Sequence, residues 1–200
     1  MSKENFSPIF MVGHSIHDLS EEVDNEQIAK DVVTRRDIKM DYDETHTGYE
    51  DSYLPKTPAV DLLREKIDNI IKGINKYVVL KGEPWAHILE PGESTMFHSH
   101  ANTAAPPGLS FAYWVTFPEG SGDFVGVIQV DMMRHFHKVK PKAGNLIIFP
   151  TYLTHMTTRN ASDETRISIS GNYYPPLDKL GEIERDPGTL FNYVGILGGM

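Results

Sequence analysis

The residues best able to do chemistry in this chain are His98, His100, His155, Arg166 and Ser168. In the stretch MFHSHANTA, 96–104, two imidazoles stand one residue apart at the end of an expected strand. Alternation along an extended chain puts His98 and His100 on one side and Ser99 on the other. Such a pair can form two legs of a metal site. His155, in KAGNLIIFPTYLTHMTTRN (142–160), offers a third. Imidazole nitrogens suit iron, zinc, copper and nickel, and two same-face ligands with a distant third leave coordination positions open. In TRISISGN, 165–172, Arg166, Ser168 and Ser170 share one strand face, with Ile167 and Ile169 on the other. A guanidinium can fork onto a carboxylate, and a hydroxyl two residues on can add a hydrogen bond. Metal and arginine could together hold an organic acid at both ends.

The other histidines form no such pattern. His135 and His137 are a second same-face pair, but no third ligand and no acid-binding arginine follow them at suitable spacing, so they read as an exposed strand or rim. His14, His17, His46 and His87 have no partners in sequence and read as surface or hydrogen-bonded core residues. Trp85 and Trp114 read as packing. The glycines of PEGSGD make a hairpin turn; they lead into no helix and so cradle no phosphate.

The elements that must position the site are mostly strands. From residue 77, the runs YVVLK, WAHILE, STMFHSH, LSFAYWVTF, FVGVIQVD, HFHKV, NLIIFP, HMTT and TRISISGNYY are separated by the turn formers KGEP, EPGE, APPG, PEGSGD, KPKAG and NASDE. Strands at this spacing predict a jelly roll, sandwich or barrel over 77–175. Before it, TPAVDLLREKIDNIIKGI predicts a helix within 57–76. Thr57 can cap it, Pro58 suits its first position, and Leu63, Ile67, Ile70, Ile71 and Ile74 make one apolar stripe. Residues 1–56 read as irregular apart from a short helix at 25–33, with the acidic DYDETHTGYEDSY (41–53) as loop or edge strand; 176–200 read as a tail. All 200 residues form one domain.

Composition narrows the function. With no cysteine, thiolate metal sites, disulfides and a cysteine nucleophile are excluded, so nitrogen and oxygen must hold any metal. A net charge of −9 argues against a nucleic-acid partner. No basic-then-apolar start and no apolar run of about 18 residues is present, which makes a cytoplasmic location the expectation and leaves no membrane partner. The sequence is compatible with a homodimer and sets no oligomeric state.

The pair, the distal His155 and the Arg166-x-Ser168 eleven residues on resemble the iron(II)- and 2-oxoglutarate-dependent oxygenases. Within that superfamily, the run from Trp85 through FHSH, LSFAYWV, AGNLIIFPTYLTH and RISISGN is similar to a small subgroup with an HxH pair. The resemblance covers roughly residues 60–175. It implies a mainly β fold, a double-stranded β-helix (cupin-like jelly roll) with helices packed on one sheet. It also implies Fe(II) on His98, His155 and residue 100, and 2-oxoglutarate chelating the iron. Arg166 and Ser168 take the far carboxylate, with Tyr113 as a further contact, and O2 is the oxidant. The cosubstrate becomes succinate while a small-molecule or peptide substrate is oxidised, most simply hydroxylated. The superfamily's usual carboxylate is here His100, so Asp131 or Asp123 stays open as third ligand. The acidic segment 41–53 and the loop 101–108 are the expected walls of the substrate mouth.

Two other readings stand beside this one. GESTMFHSH and GNLIIFPTYLTH also resemble cupin motifs, which suggests a three-histidine dioxygenase or isomerase that does not use 2-oxoglutarate. The glutamate that cupins place after the pair is missing, and that reading gives Arg166 no role. A jelly-roll binding module with vestigial histidines would take up neither metal nor cosubstrate.

Overall fold

A computed structural model describes residues 13–34, 50–101, 107–130 and 132–183. Two antiparallel sheets face each other. The larger has seven strands: β1 (Ser15–Asp18), β2 (Glu50–Tyr53), β3 (Val79–Leu80), β4 (Trp85–Leu89), β5 (Leu109–Thr116), β8 (Asn145–Pro150) and β10 (Arg166–Tyr174). Their order is β1-β8-β5-β10-β4-β2, with β3 beside the end of β10. The smaller sheet runs β7-β6-β9, from β6 (Phe124–Val130), β7 (Met133–Val139) and β9 (Thr154–Thr157). This is the double-stranded β-helix.

Side-chain alternation divides the interior in two. On β5, β8 and β10 the residues Phe111, Tyr113, Val115, Leu146, Ile148, Ile167 and Ile169 face outward, where two helices cover the large sheet. The intervening Ala112, Trp114, Ile147 and Phe149 point between the sheets and meet Phe124 and Leu153. The helical cover is α1 (Asn25–Val33), through Ile28 and Val32, and α2 (Pro58–Ile74), through Val60, Leu63, Ile67 and Ile71.

Local chemistry explains the helix limits. Asp24 accepts from Gln27 N at 2.9 Å at the start of α1, and Thr57 accepts from Val60 N at 3.4 Å at the start of α2, satisfying amide groups with no intrahelical partner. At the end of α2, Asn75 leaves helical geometry and its side chain accepts from Tyr77 N at 3.0 Å. The sequence-predicted 25–33 and 57–74 helices match α1 and α2, and 77–175 holds eight of the ten strands.

Three expectations need correction or extension. The N-terminal region contributes β1, paired with β8, so it is less irregular than its composition suggests. STMFHSH is not a regular strand: Thr95 accepts from Thr157 N through its hydroxyl at 2.7 Å, so a side chain takes the place of a ladder carbonyl, and only His98 bridges to β9. The tail begins with a 3-10 turn at Leu177–Lys179 and the short α3 (Leu180–Ile183); residues 184–200 lie outside the described residues. Among the described residues no helix is long and apolar enough to cross a membrane.

Ile67, 1 % exposed at the centre of the α2 stripe, tests this packing. Ile67→Ala should lower the unfolding free energy by about 2–5 kcal/mol in urea titrations, the range for emptying a buried aliphatic site.

Candidate active site

Backbone pairing brings the first two imidazoles together. His98 N donates to His155 O at 3.0 Å and His155 N to His98 O at 2.8 Å. Opposed residues that exchange both bonds project their side chains from the same face. His100 is pinned separately: its N donates to Thr151 O at 2.8 Å, and Tyr174 Oη donates to its carbonyl at 2.5 Å. The ring centroids lie 4.3 Å (98–155), 5.0 Å (98–100) and 5.1 Å (100–155) apart, and one ligand atom from each ring falls within 4.8 Å of the others.

Two of the rings are also set in tautomer. His98 Nδ1 lies 2.9 Å from Met96 O, and His155 Nδ1 lies 2.9 Å from Leu153 O. A carbonyl only accepts, so Nδ1 carries the proton and Nε2 carries the lone pair, as a metal ligand requires. Phe149 and Phe124 pack on the His155 ring, with centroids at 4.6 and 5.5 Å. Burial, then the neighbouring His98 and His100, holds the His155 pKa well below its ordinary value. His155 is therefore held neutral. His98 and His100 are only half-buried, so the cluster opens to solvent on their side.

Arg166 lies on the same interior, 1 % exposed. It donates through Nη1 to the Ser121 and Thr158 carbonyls and through Nη2 to Thr157 Oγ1 at 2.7 Å. All of these are neutral acceptors, and Nε has no hydrogen-bond partner. Among the described residues no carboxylate comes within ion-pair distance. Burial pushes the guanidinium down to about 10. A buried cation without a counter-charge costs several kcal/mol, which an anionic ligand would offset. Thr157 sits two residues past His155, so the guanidinium lies about one strand repeat, roughly 7 Å, along the barrel from that imidazole. Ser168 follows on the same face, 6 % exposed. Buried Trp114 lies beside it in the ladder, and its Nε1 also has no partner.

Tyr113 is a correction. It faces the helices, and its Oη donates to Asn25 Oδ1 on α1 at 2.6 Å, because odd positions of β5 point outward. The next residue, Trp114, points between the sheets, where it packs as expected and keeps an unpartnered Nε1 donor. His87 is a hydrogen-bonded core residue, one of its two expected settings, buried on β4 opposite Ser168 and within electrostatic reach of His155. Asp123 does not join the cluster, which among the described residues is His98, His100 and His155. Asp131, His46, most of the 41–53 segment and residues 102–106 lie outside the described residues. His135 and His137 are both exposed as expected, and His137 meets the half-buried His14 at 5.1 Å between centroids.

Residues 83–172, which span β4 to β10, match the family model described as putative 2OG-Fe(II) oxygenase. That match places the β4–β10 region with the iron(II)- and 2-oxoglutarate-dependent oxygenases. No curated protein resembles it in sequence. Solved structures share the fold at low identity. A Pseudomonas putida prolyl-4-hydroxylase aligns with a TM-score of 0.62 and 17% identity, over 82% of this chain and 94% of that one. A Trichoplax adhaerens prolyl hydroxylase, solved with a hypoxia inducible factor peptide, aligns with a TM-score of 0.62 and 12% identity, over 82% and 84%. The 2-oxoglutarate-dependent carbocyclase SnoK of nogalamycin biosynthesis aligns with a TM-score of 0.60 and 15% identity, over 88% of each chain. Oxygenases of this superfamily use Fe(II), 2-oxoglutarate and O2, and the cupin alternative gains no support. The donor set fits these groups: three imidazoles for a divalent ion and an uncompensated guanidinium for a carboxylate.

Two outcomes follow. An unfolded histidine takes up a proton as pH falls through about 6.5, whereas buried His155 resists it, so metal-free protein should lose stability below that pH. Urea midpoints at pH 7.5 and 5.5 should show the drop, and His155→Phe should make it shallower. Tyr113→Phe should cost about 1 kcal/mol of stability through the lost bond to Asn25 while leaving 2-oxoglutarate affinity unchanged in calorimetric titration.

Proposed function

We propose that this oxygenase is a hydroxylase whose Fe(II) is held by His98, His100 and His155. Arg166, assisted by Ser168, binds the far carboxylate of 2-oxoglutarate. The observation that carries this reading is the buried guanidinium of Arg166, on the same interior as three convergent imidazoles and with only neutral oxygens as partners. A five-carbon diacid suits the roughly 7 Å between guanidinium and imidazoles.

When bound, iron, 2-oxoglutarate and O2 supply oxidative decarboxylation to succinate and CO2, coupled to insertion of one oxygen atom into a substrate C–H bond. The protein contributes position and polarity. The reciprocal backbone bonds of His98 and His155 fix two ligands before metal arrives, and their Nδ1 bonds aim Nε2 inward. Three neutral ligands leave the full +2 charge on the ion, where a carboxylate at position 100 would leave +1. A dianionic cosubstrate would offset two of the three positive charges that the ion and Arg166 bring together. Phe124, Phe149 and Trp114 exclude water behind His155 and strengthen the Arg166–carboxylate pair in a low-dielectric interior. The substrate, a small molecule or a peptide side chain, enters from the side where His98 and His100 are half-exposed.

Anaerobic titration is the test. Fe(II) with 2-oxoglutarate should give the weak visible charge-transfer band of a chelated keto acid, and in air the protein should turn 2-oxoglutarate over to succinate. Arg166→Met should weaken cosubstrate binding about a hundredfold or more while Fe(II) still binds, and His98→Ala or His155→Ala should abolish iron binding. His100→Asp should retain it. An Arg166→Met protein with an unchanged band would refute the role given to that arginine.

A further inference from the structure

His87 is, among the described residues, a buried polar side chain of the barrel interior that this mechanism leaves without a task. On the inner face of β4 and β10 three cross-strand pairs succeed one another: Arg166 beside Leu89, Ser168 beside His87, and Ser170 beside Trp85. Arg166 stands at the closed end of this row. Trp85 stands toward the mouth, with its ring 5.9 Å from that of His100. His87 is between them, 7 % exposed.

Trp85 Nε1 donates to His87 Nε2 at 2.9 Å. An indole N–H only donates, so Nε2 must hold a lone pair. An imidazolium carries protons on both nitrogens and could not accept that bond. While the bond stands, His87 is therefore neutral with its proton on Nδ1. It is unsuited to offer Nε2 to a metal and is set as a donor. It adds to an interior already supplied with donors from Arg166, Trp114 and Ser168, in keeping with an anionic occupant.

We propose that His87, locked in one tautomer by Trp85, donates its Nδ1–H to the metal-side carboxylate of 2-oxoglutarate. The inference rests on the iron and cosubstrate reading above. His87 is then a binding residue that orients the keto acid on the ion, and Trp85 is a positioning residue acting through it. Arg166 and His87 hold the two ends of one diacid, one ladder step apart along β10.

The test uses anaerobic Fe(II) protein titrated with 2-oxoglutarate, followed by the visible band, with Mn(II) affinity measured separately without cosubstrate. His87→Leu should weaken 2-oxoglutarate binding about ten- to a hundredfold and shift the band, with Mn(II) affinity unchanged. His87→Asn, whose amide nitrogen falls near the Nδ1 position, should recover most of the affinity, whereas His87→Gln, which reaches toward Nε2, should not. Trp85→Phe, which keeps the ring and frees the tautomer, should lose about threefold. Equal affinity in wild type, His87→Leu and His87→Gln overturns the inference, and so does a loss of Mn(II) affinity in His87→Leu. If the leucine variant does not fold, the contrast between Asn and Gln decides alone. A wild-type protein that gives no band removes the iron and cosubstrate reading, and this inference falls with it.

Discussion

A guanidinium buried among neutral oxygens is the constraint around which this molecule is organised. Arg166 occupies the start of β10, the strand with β4 and β5 on either side, and is almost wholly removed from water. Desolvation of such a charge is costly, and the Ser121 and Thr158 carbonyls and the Thr157 hydroxyl offset part of that cost without cancelling the charge. Gly122 makes the arrangement possible. Its φ of +93° turns the chain, and a side chain there would come within 2.6 Å of the Thr158 carbonyl that caps the arginine. A fold that retains an uncompensated cation in its interior is prepared for an anion, and in the proposed function the triad along the same barrel would give that anion a second point of attachment.

Rigid pairing supplies the other half of the site. His98 and His155 are joined by two backbone bonds, while His100 is held by Thr151 and Tyr174. Two of the imidazoles thus hang from one segment and the third from β9, and their convergence depends on the register of β9 and on β10, whose end carries Tyr174. The helices act at one remove, since α1 and α2 bury the outer face of the strands whose inner face carries Arg166, Ser168 and Trp114.

Much of this was legible in the sequence. The HxH pair, the distal His155 and Arg166-x-Ser168 were readable because metal and carboxylate chemistry admits few residue types at such spacings. The 57–74 helix was readable from its cap and stripe. The inward face of β5 escaped because that strand is buried on both faces. In LSFAYWV every residue is apolar or small, so period-two patterning cannot say which face is which, and Tyr113 was taken to face inward where Trp114 does. The placement of His87 opposite Ser168 escaped because those two residues are remote in sequence. The irregularity of 94–100 arises from Thr95 standing in for a backbone acceptor, which no propensity encodes.

The measurement that bears most directly on this account is a crystal structure of the protein with Mn(II), in place of the oxidisable iron, and 2-oxoglutarate. The account predicts one metal ion bound by Nε2 of His98 and His155 and by His100, with the far carboxylate of the diacid on the Arg166 guanidinium. A metal held by Asp131 in place of His100, or a cosubstrate turned away from Arg166, would contradict it.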